Sequence, residues 1–337
     1  MSLRDVIGHR RLTALISRAI DRESLPPTLL FAGPSGVGKW RVALAAAQAL
    51  NCLEPARDAD GLPFDACGRC RACDRIARGV HVDVIMLEPD ERASIKVDVV
   101  RDMLGRTGYR PFEGKRRVVL IREADTLGEE AQNALLKNLE EPPPGTVFIL
   151  TTAVPGVLLS TVRSRCMRLR FGRLTAAEVE LALVRDHGQS ARDAKEAAPL
   201  ADGSIGQALA LSDLDIGGMR DLAMRLLQQT AGRADTQARL QAATSVVAGL
   251  SKKEERADFT AVLRLAASML RDIEALNSGA DQRVLANPLL TDDLSTLARA
   301  FAGDRARTAF GAVDRALTAL ERNAGTKVVA EWLAVQL

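Results

Sequence analysis

Two groups of residues in this 337-residue chain have types and spacings that can do chemistry. The first is Gly33-Pro34-Ser35-Gly36-Val37-Gly38-Lys39-Trp40. It reads as a phosphate-binding loop, in which Gly33, Gly36 and Gly38 let backbone N–H groups approach an anion and Lys39 reaches the outer phosphates. Its last residue is wrong for ATP turnover. The pattern calls for Ser or Thr there, because that hydroxyl ligates the magnesium ion on the nucleotide. Trp40 has no oxygen, and an indole leaves no room for a hydrated ion. The second group is Cys52, Cys67, Cys70 and Cys73. Three thiolates, with two residues between neighbours, fold into a tight knuckle, and one from upstream can close a tetrahedron around zinc. Four sulfur ligands leave no open position for a substrate, so the expected role is structural. Gly61 and Pro63 allow a compact turn between Cys52 and the other three. The remaining thiol, Cys166, reads as a small core residue.

A second defect lies further on. Phosphate-loop ATPases carry an acidic pair at the end of the third strand, an Asp holding magnesium and a Glu orienting water. Here Val118-Val119-Leu120-Ile121 is followed by Arg122 and Glu123, which puts a cation in the metal-ligand position. With both magnesium ligands missing, hydrolysis by this site is not expected. The residues leave two outcomes open, a loop that still holds a nucleotide and one that does not. Arg165, within Ser164-Arg165-Cys166, reads by spacing alone as a solvated cation, although arginine is the residue that stabilises charge on a transferred phosphoryl group.

These groups need elements to position them. Residues 29–32 form an apolar run just before the glycine loop, as a buried parallel strand would, and 42–50 read as the helix after it. Further strands are expected at 82–87, 118–121, 146–152 and 167–171. Leu127, Ala131, Ala134, Leu135 and Leu139 have helical spacing, terminated by Pro142-Pro143-Pro144. Alternating strands and helices predict an α/β fold of the phosphate-loop NTPase type, with a parallel sheet and the loop at a strand's C-terminal end. Beyond about Gly172 strand signals fade. Residues 173–213 read as a small helical lid, with Thr175 an N-cap and Gly203-Ser204 opening its last helix, and 214–337 as a second helical domain. The expected layout is therefore 1–172 with a zinc module at about 52–73, then two all-helical domains.

Composition agrees with this and narrows function. Hydrophobic residues at 47% with 26% charged fit a water-soluble globular protein, and 3% aromatics with abundant Ala, Leu and Arg fit a helix-rich one. A net charge of +3 makes no case by itself for nucleic acid binding. Five cysteines, an odd number, argue against a disulfide framework. Residues 4–21 lack an apolar signal core, and no run approaches the roughly 20 apolar residues of a membrane helix, so a cytoplasmic protein without membrane contact is expected.

Taken together, Val6-Ile7-Gly8-His9, the glycine loop, the four-cysteine insertion, the run from Asn133 to Pro143 (Asn-Ala-Leu-Leu-Lys-Asn-Leu-Glu-Glu-Pro-Pro) and Ser164-Arg165-Cys166 resemble the bacterial clamp-loader branch of the AAA+ ATPases. The resemblance is strong over 1–212 and looser over the helical remainder, which fits that family's oligomerisation collar. It implies a partner of gamma/tau and delta subunits in a five-membered ring, acting through that ring on a sliding clamp and primed DNA during chromosome replication. The family motif Gly-Ser-x-Arg reads Gly203-Ser204-Ile205-Gly206 here, so a phosphate-sensing arginine is missing as well. These departures fit a non-hydrolysing stator rather than a gamma/tau-type motor. The resemblance also carries the family's arginine finger onto Arg165, acting in trans on a neighbour's ATP site. Two other readings compete: a slow ATPase with unusual metal coordination, and a zinc-dependent nucleic-acid adaptor with Lys115, Arg116 and Arg117 as its basic footprint.

Overall fold

A computed structural model describes residues 2–57, 62–91, 93–212, 216–231, 236–251, 255–281, 285–287, 290–321 and 324–337. Gly61 and the 213–214 boundary expected from the sequence lie outside these residues. The chain divides into two compact units, Met1–Ala182 with Gly203–Gly206, and Leu183–Asp202 with Gln207–Leu337.

The first unit is built on five parallel strands: β1 (Thr28–Ala32), β2 (Val84–Leu87), β3 (Arg117–Ile121), β4 (Thr146–Thr152) and β5 (Met167–Arg170), in the order β2-β3-β4-β1-β5. β1, β3 and β4 are buried along their whole length, as expected of a sheet covered on both faces. Period-two alternation divides their side chains between two cores. Phe31, Val118, Leu120 and Ile149 point to one core, and Leu30, Val119, Phe148 and Leu150 to the other. The first core is covered by α1 (Arg10–Asp21), α2 (Lys39–Asn51) and α3 (Arg71–Ala77). The second is covered by α4 (Val97–Thr107), α5 (Glu129–Glu140) and α6 (Ser160–Arg165). β5 closes one edge with exposed arginines, which suits an unpaired edge.

The strands expected from the sequence are present, with bounds shifted by a few residues at 84–87 and 167–170. α5 ends at Glu140, ahead of the three prolines. Thr175 does cap α7 (Ala176–His187). Its hydroxyl accepts the Glu178 N–H at 3.2 Å while the Glu178 carboxylate accepts the Thr175 N–H at 2.8 Å, a capping box.

The second unit is helical. It contains α8 (Ala191–Ala197), α10 (Ile216–Ala231), α11 (Thr236–Ala248), α12 (Glu255–Asn277), α13 (Thr291–Ala300), α14 (Arg305–Glu321) and α15 (Thr326–Gln336), and α9 (Ile205–Ser212) begins in the first unit. Its core centres on α12, whose Phe259, Val262, Leu263, Ala266 and Leu270 follow the helical period and are buried. None of the described helices is long and apolar enough to cross a membrane.

Candidate functional sites

The glycine loop joins the C-terminal end of β1 to α2, where Gly36 and Gly38 take left-handed backbone angles of φ +72° and +97°. A Cβ at Gly33 would run into the Phe171 backbone beyond β5, so the close approach itself demands glycine. Lys39 is buried and turns back on the loop, donating to the carbonyls of Gly33 at 2.7 Å and Pro34 at 2.6 Å. Burial lowers its pKa, against the opposing pull of Asp125 and Glu123.

The two departures from the ATPase pattern meet in space. The Arg122 guanidinium lies over the Trp40 indole at 5.8 Å from the ring centroid. It also faces the carboxylates of Glu88 at 3.4 Å and Glu123 at 3.5 Å. The place between loop and third strand, where a hydroxyl and an aspartate would hold magnesium, is filled by a cation–π pair flanked by acids. The donor set does not fit the metal. Glu123 adopts φ +50°, with its N–H on the Thr151 hydroxyl at 3.2 Å, a strained backbone of the kind found at functional sites.

The third departure is packed against the loop too. The Gly206 N–H donates to the Gly36 carbonyl at 3.3 Å, and a Cβ on Gly206 would come within 3.2 Å of the Gly36 Cα. A Cβ on Gly36 would overlap the Ser204 hydroxyl. Gly206 therefore follows from a backbone-to-backbone approach that an arginine would disturb.

The four cysteines come together. Cys52, Cys67, Cys70 and Cys73 place all four Sγ atoms within 4.8 Å of one another, and Cys52 Sγ lies 4.0 Å from Cys70 Sγ. Two knuckle N–H groups point at sulfur, Cys67 N–H to Cys52 Sγ at 3.2 Å and Cys70 N–H to Cys67 Sγ at 3.3 Å. Such bonds orient and stabilise thiolates as metal ligands. For Cys70, burial raises the pKa, but backbone N–H groups of Cys73 and Leu53 outweigh it and bring the thiol down to about 6. Burial pushes Cys52 and Cys73 up. The quartet can hold a metal ion. Cys166 stands apart, buried, with burial pushing its thiol up to about 11.

The insertion is fastened to the chain's beginning. Asp65, fully buried, accepts the N–H groups of Leu3 at 2.8 Å and Arg4 at 3.1 Å. The Ser17 hydroxyl of α1 bonds both the carbonyl and the N–H of Phe64, and Gln48 of α2 donates to the Cys73 carbonyl.

Arg165 ends α6, at the opposite end of the sheet from the glycine loop. The Thr28 hydroxyl, at the start of β1, donates to the Arg165 carbonyl at 2.7 Å. About 13 Å of strand separates that point from the end of β1, at ~3.3 Å per residue. The guanidinium is held by Glu140 at 3.1 Å and by the Thr161 carbonyl at 3.1 Å, and is 31% exposed. It cannot reach this chain's own loop.

The basic cluster at 115–117 splits. Lys115 and Arg116 reach the surface, but Arg117 is buried against Asp83 at 2.9 Å. The Asp83 carboxylate also accepts the N–H groups of Phe112, Glu113 and Gly114, each at 2.8 Å. Arg117 donates to the carbonyls of Arg106, Tyr109 and Arg110. Burial pushes the Asp83 pKa up, but the three N–H bonds and Arg117 overcome it and hold the carboxyl at about 2. Arg117 is thus a latch for the 106–117 loop, and no part of a nucleic-acid footprint.

A family model described as DNA polymerase III, delta subunit, matches residues 8–175. The chain is 42% identical over 156 residues to DNA polymerase III subunit delta' of Pseudomonas aeruginosa, a match covering 46% of each chain. It is 34% identical over 214 residues to DNA polymerase III subunit tau of Salmonella typhimurium, covering 62% of this chain and 32% of the relative. These matches span less than half the length of either relative. A solved Thermotoga maritima protein described as DNA polymerase III gamma subunit-related aligns over 96% of this chain and 97% of its own, with 17% identity and a TM-score of 0.46.

Proposed function

The chain belongs to the clamp-loader family of DNA polymerase III subunits, and from that membership we propose that it serves as the delta-prime stator of such a loader. In this reading it hydrolyses no ATP of its own and lends Arg165 to a neighbour. The observation that supports the proposal is the Trp40–Arg122 stack, which puts an indole and a guanidinium at the two sequence positions whose side chains would ligate magnesium. Phosphoryl transfer in this class of site depends on that metal to bridge and neutralise the phosphates. A site without it has lost most of its charge stabilisation.

Its partners would be the gamma/tau and delta subunits, and through them a sliding clamp and primed DNA. The glycine loop, with Lys39 already satisfied by its own carbonyls, would add rigidity rather than turnover. Gly33, Gly36, Gly38 and Lys39 remain as a scaffold shape. Arg165, at the far end of the sheet and partly exposed, suits work outside its own chain. Its planar fork would stabilise charge on a phosphoryl group in the adjoining ATP site. The cysteine quartet would hold one structural zinc, with Cys52, Cys67, Cys70 and Cys73 as ligands. The soft tetrahedral donor set and the N–H···S bonds support zinc. The helical domains at 173–213 and 214–337 would act as lid and oligomerisation collar.

The test is an ATPase assay on the purified chain with and without magnesium, beside Lys39→Ala. The proposal expects background turnover from both proteins. Robust hydrolysis that Lys39→Ala abolishes would replace it with the slow-ATPase reading.

A further inference from the structure

At the N-terminal end of the sheet, on the face carrying α1 and the cysteine insertion, a groove of about 560 Å³ opens. Its apolar surface comes from Leu25, Leu50, Phe64 and the Pro142-Pro143-Pro144 run. Lys115 and Arg116 stand along it as cations. Among the described residues Arg116 forms no ion pair, and Lys115 rests its ammonium on the Cys52 carbonyl at 3.2 Å. Thr146, also in the lining, is 3% exposed, and its hydroxyl has no partner among the described residues.

The walls are set before anything binds. The Arg116 N–H is held by the Asn51 side chain at 3.0 Å, and the next residue is latched by Asp83. Phe64 is fastened to α1 through Ser17, and its ring lies under Arg57 at 5.3 Å, with Arg57 in turn paired to Asp21 at 2.9 Å. A rigid groove binds without first ordering its own side chains.

We propose that this groove docks an extended segment of a partner protein in which apolar residues are flanked by carboxylates. The apolar lining would take Leu- or Phe-like side chains, and Lys115 and Arg116 would meet the acids. A nucleic acid fits less well. The lining offers one aromatic ring, Phe64, where a track that stacks successive bases needs several. The proposal is independent of the role given to Arg165, which packs with α5 and α6 on the other face.

The experiment is selection from a random octapeptide library on the immobilised full chain, with the bound peptides sequenced. The expected result is enrichment of Asp or Glu beside Leu or Phe. Arg116→Glu should turn that preference toward Lys and Arg, an inversion that mere loosening of the fold does not produce. A selected peptide, followed by fluorescence anisotropy, should bind Arg116→Glu and Leu25→Arg each at least ~10-fold more weakly, about 1.4 kcal/mol. Arg165→Ala should bind it unchanged, so the docking site and the stator reading fail separately. Three results would overturn the proposal: no enrichment, an enrichment that Arg116→Glu leaves unaltered, or displacement of the peptide by a single-stranded oligonucleotide at comparable concentration, which would mark a phosphate track.

Discussion

The glycine loop and the cysteine quartet lie in the same α/β unit and have fared in opposite ways. The loop keeps its backbone, with Gly36 and Gly38 still left-handed and Lys39 still in place, yet each side chain that would have met the metal or sensed phosphate is changed. The quartet keeps every donor and the N–H groups that orient them. The changes at the loop are also mutually accommodated: Trp40 packs on Arg122, and Gly206 packs on Gly36. On the proposed reading the loop serves as architecture, because the turn, the strand contacts and the helix N-terminus depend on the glycines rather than on a nucleotide. A four-thiolate site has no such reserve. Without an ion it is a polar loop with two buried sulfurs, those of Cys52 and Cys73, and two half-buried ones.

That contrast can be broken most violently at the quartet. Structural zinc sites in small peptides contribute an apparent ~10–16 kcal/mol near neutral pH. Chelation, or Cys70→Ser, is expected to open the insertion and release the chain's start, since Asp65 holds Leu3 and Arg4. Amide exchange should then rise at Leu3, Arg4 and Phe64 and stay unchanged in α12. One zinc per chain is the expected metal content of freshly purified protein.

Next in size is the latch between Asp83 and Arg117. Asp83→Asn leaves a buried guanidinium without its countercharge and should destabilise the first unit by ~3–5 kcal/mol, read as a shifted denaturation midpoint. Because the carboxyl titrates at about 2 when folded, below its unfolded value, its contribution is complete above about pH 4 and disappears as pH falls through 2. The wild type should lose stability over that window and the variant should lose much less.

At the loop, Trp40→Thr with Arg122→Asp should restore magnesium-dependent nucleotide affinity by at least ~10-fold, about 1.4 kcal/mol, measured by equilibrium dialysis. Full turnover should not return while Gly206 stands in place of the sensing arginine. The stability cost should be small, since an exposed cation–π pair contributes ~0.5–1 kcal/mol. If affinity is indifferent to magnesium in both proteins, the loop was silenced by something other than its metal ligands. Smallest of all, Glu140→Gln removes a surface ion pair and should change stability by under ~1 kcal/mol, while leaving Arg165 free of its resting partner.

Much of this was legible in the sequence because it is local. The glycine spacing, the cysteine knuckle, the Thr175 cap and the proline stop after α5 each act over a few residues, and each stands where expected. What the sequence hid is long-range pairing. Trp40 and Arg122 read as two separate losses, and only the parallel order β3-β4-β1 brings them into contact. Arg117 looked like part of a surface cluster because nothing local marks Asp83, 34 residues away, as its partner. The helices α3 and α4 were missed because short amphipathic stretches beside cysteines and charges carry weak periodicity. Glu140 gave no sign that it holds Arg165, since that contact spans a strand and two turns.

The central claim is that this chain is silent at its own loop and active only through Arg165. The direct measurement is ATP hydrolysis by a loader reconstituted with gamma/tau and delta subunits and carrying Arg165→Ala or Arg165→Lys. Arginine fingers contribute roughly 10³-fold or more in dedicated GTPase pairs, and the loss over a whole ring should be smaller because other sites receive arginines from other subunits. Both variants should fold, keep their zinc and assemble, yet hydrolyse ATP more slowly and load clamps poorly, with lysine failing nearly as badly as alanine for want of a two-pronged donor. Wild-type hydrolysis and clamp loading by both assembled variants would contradict the claim and leave Arg165 an ordinary surface cation.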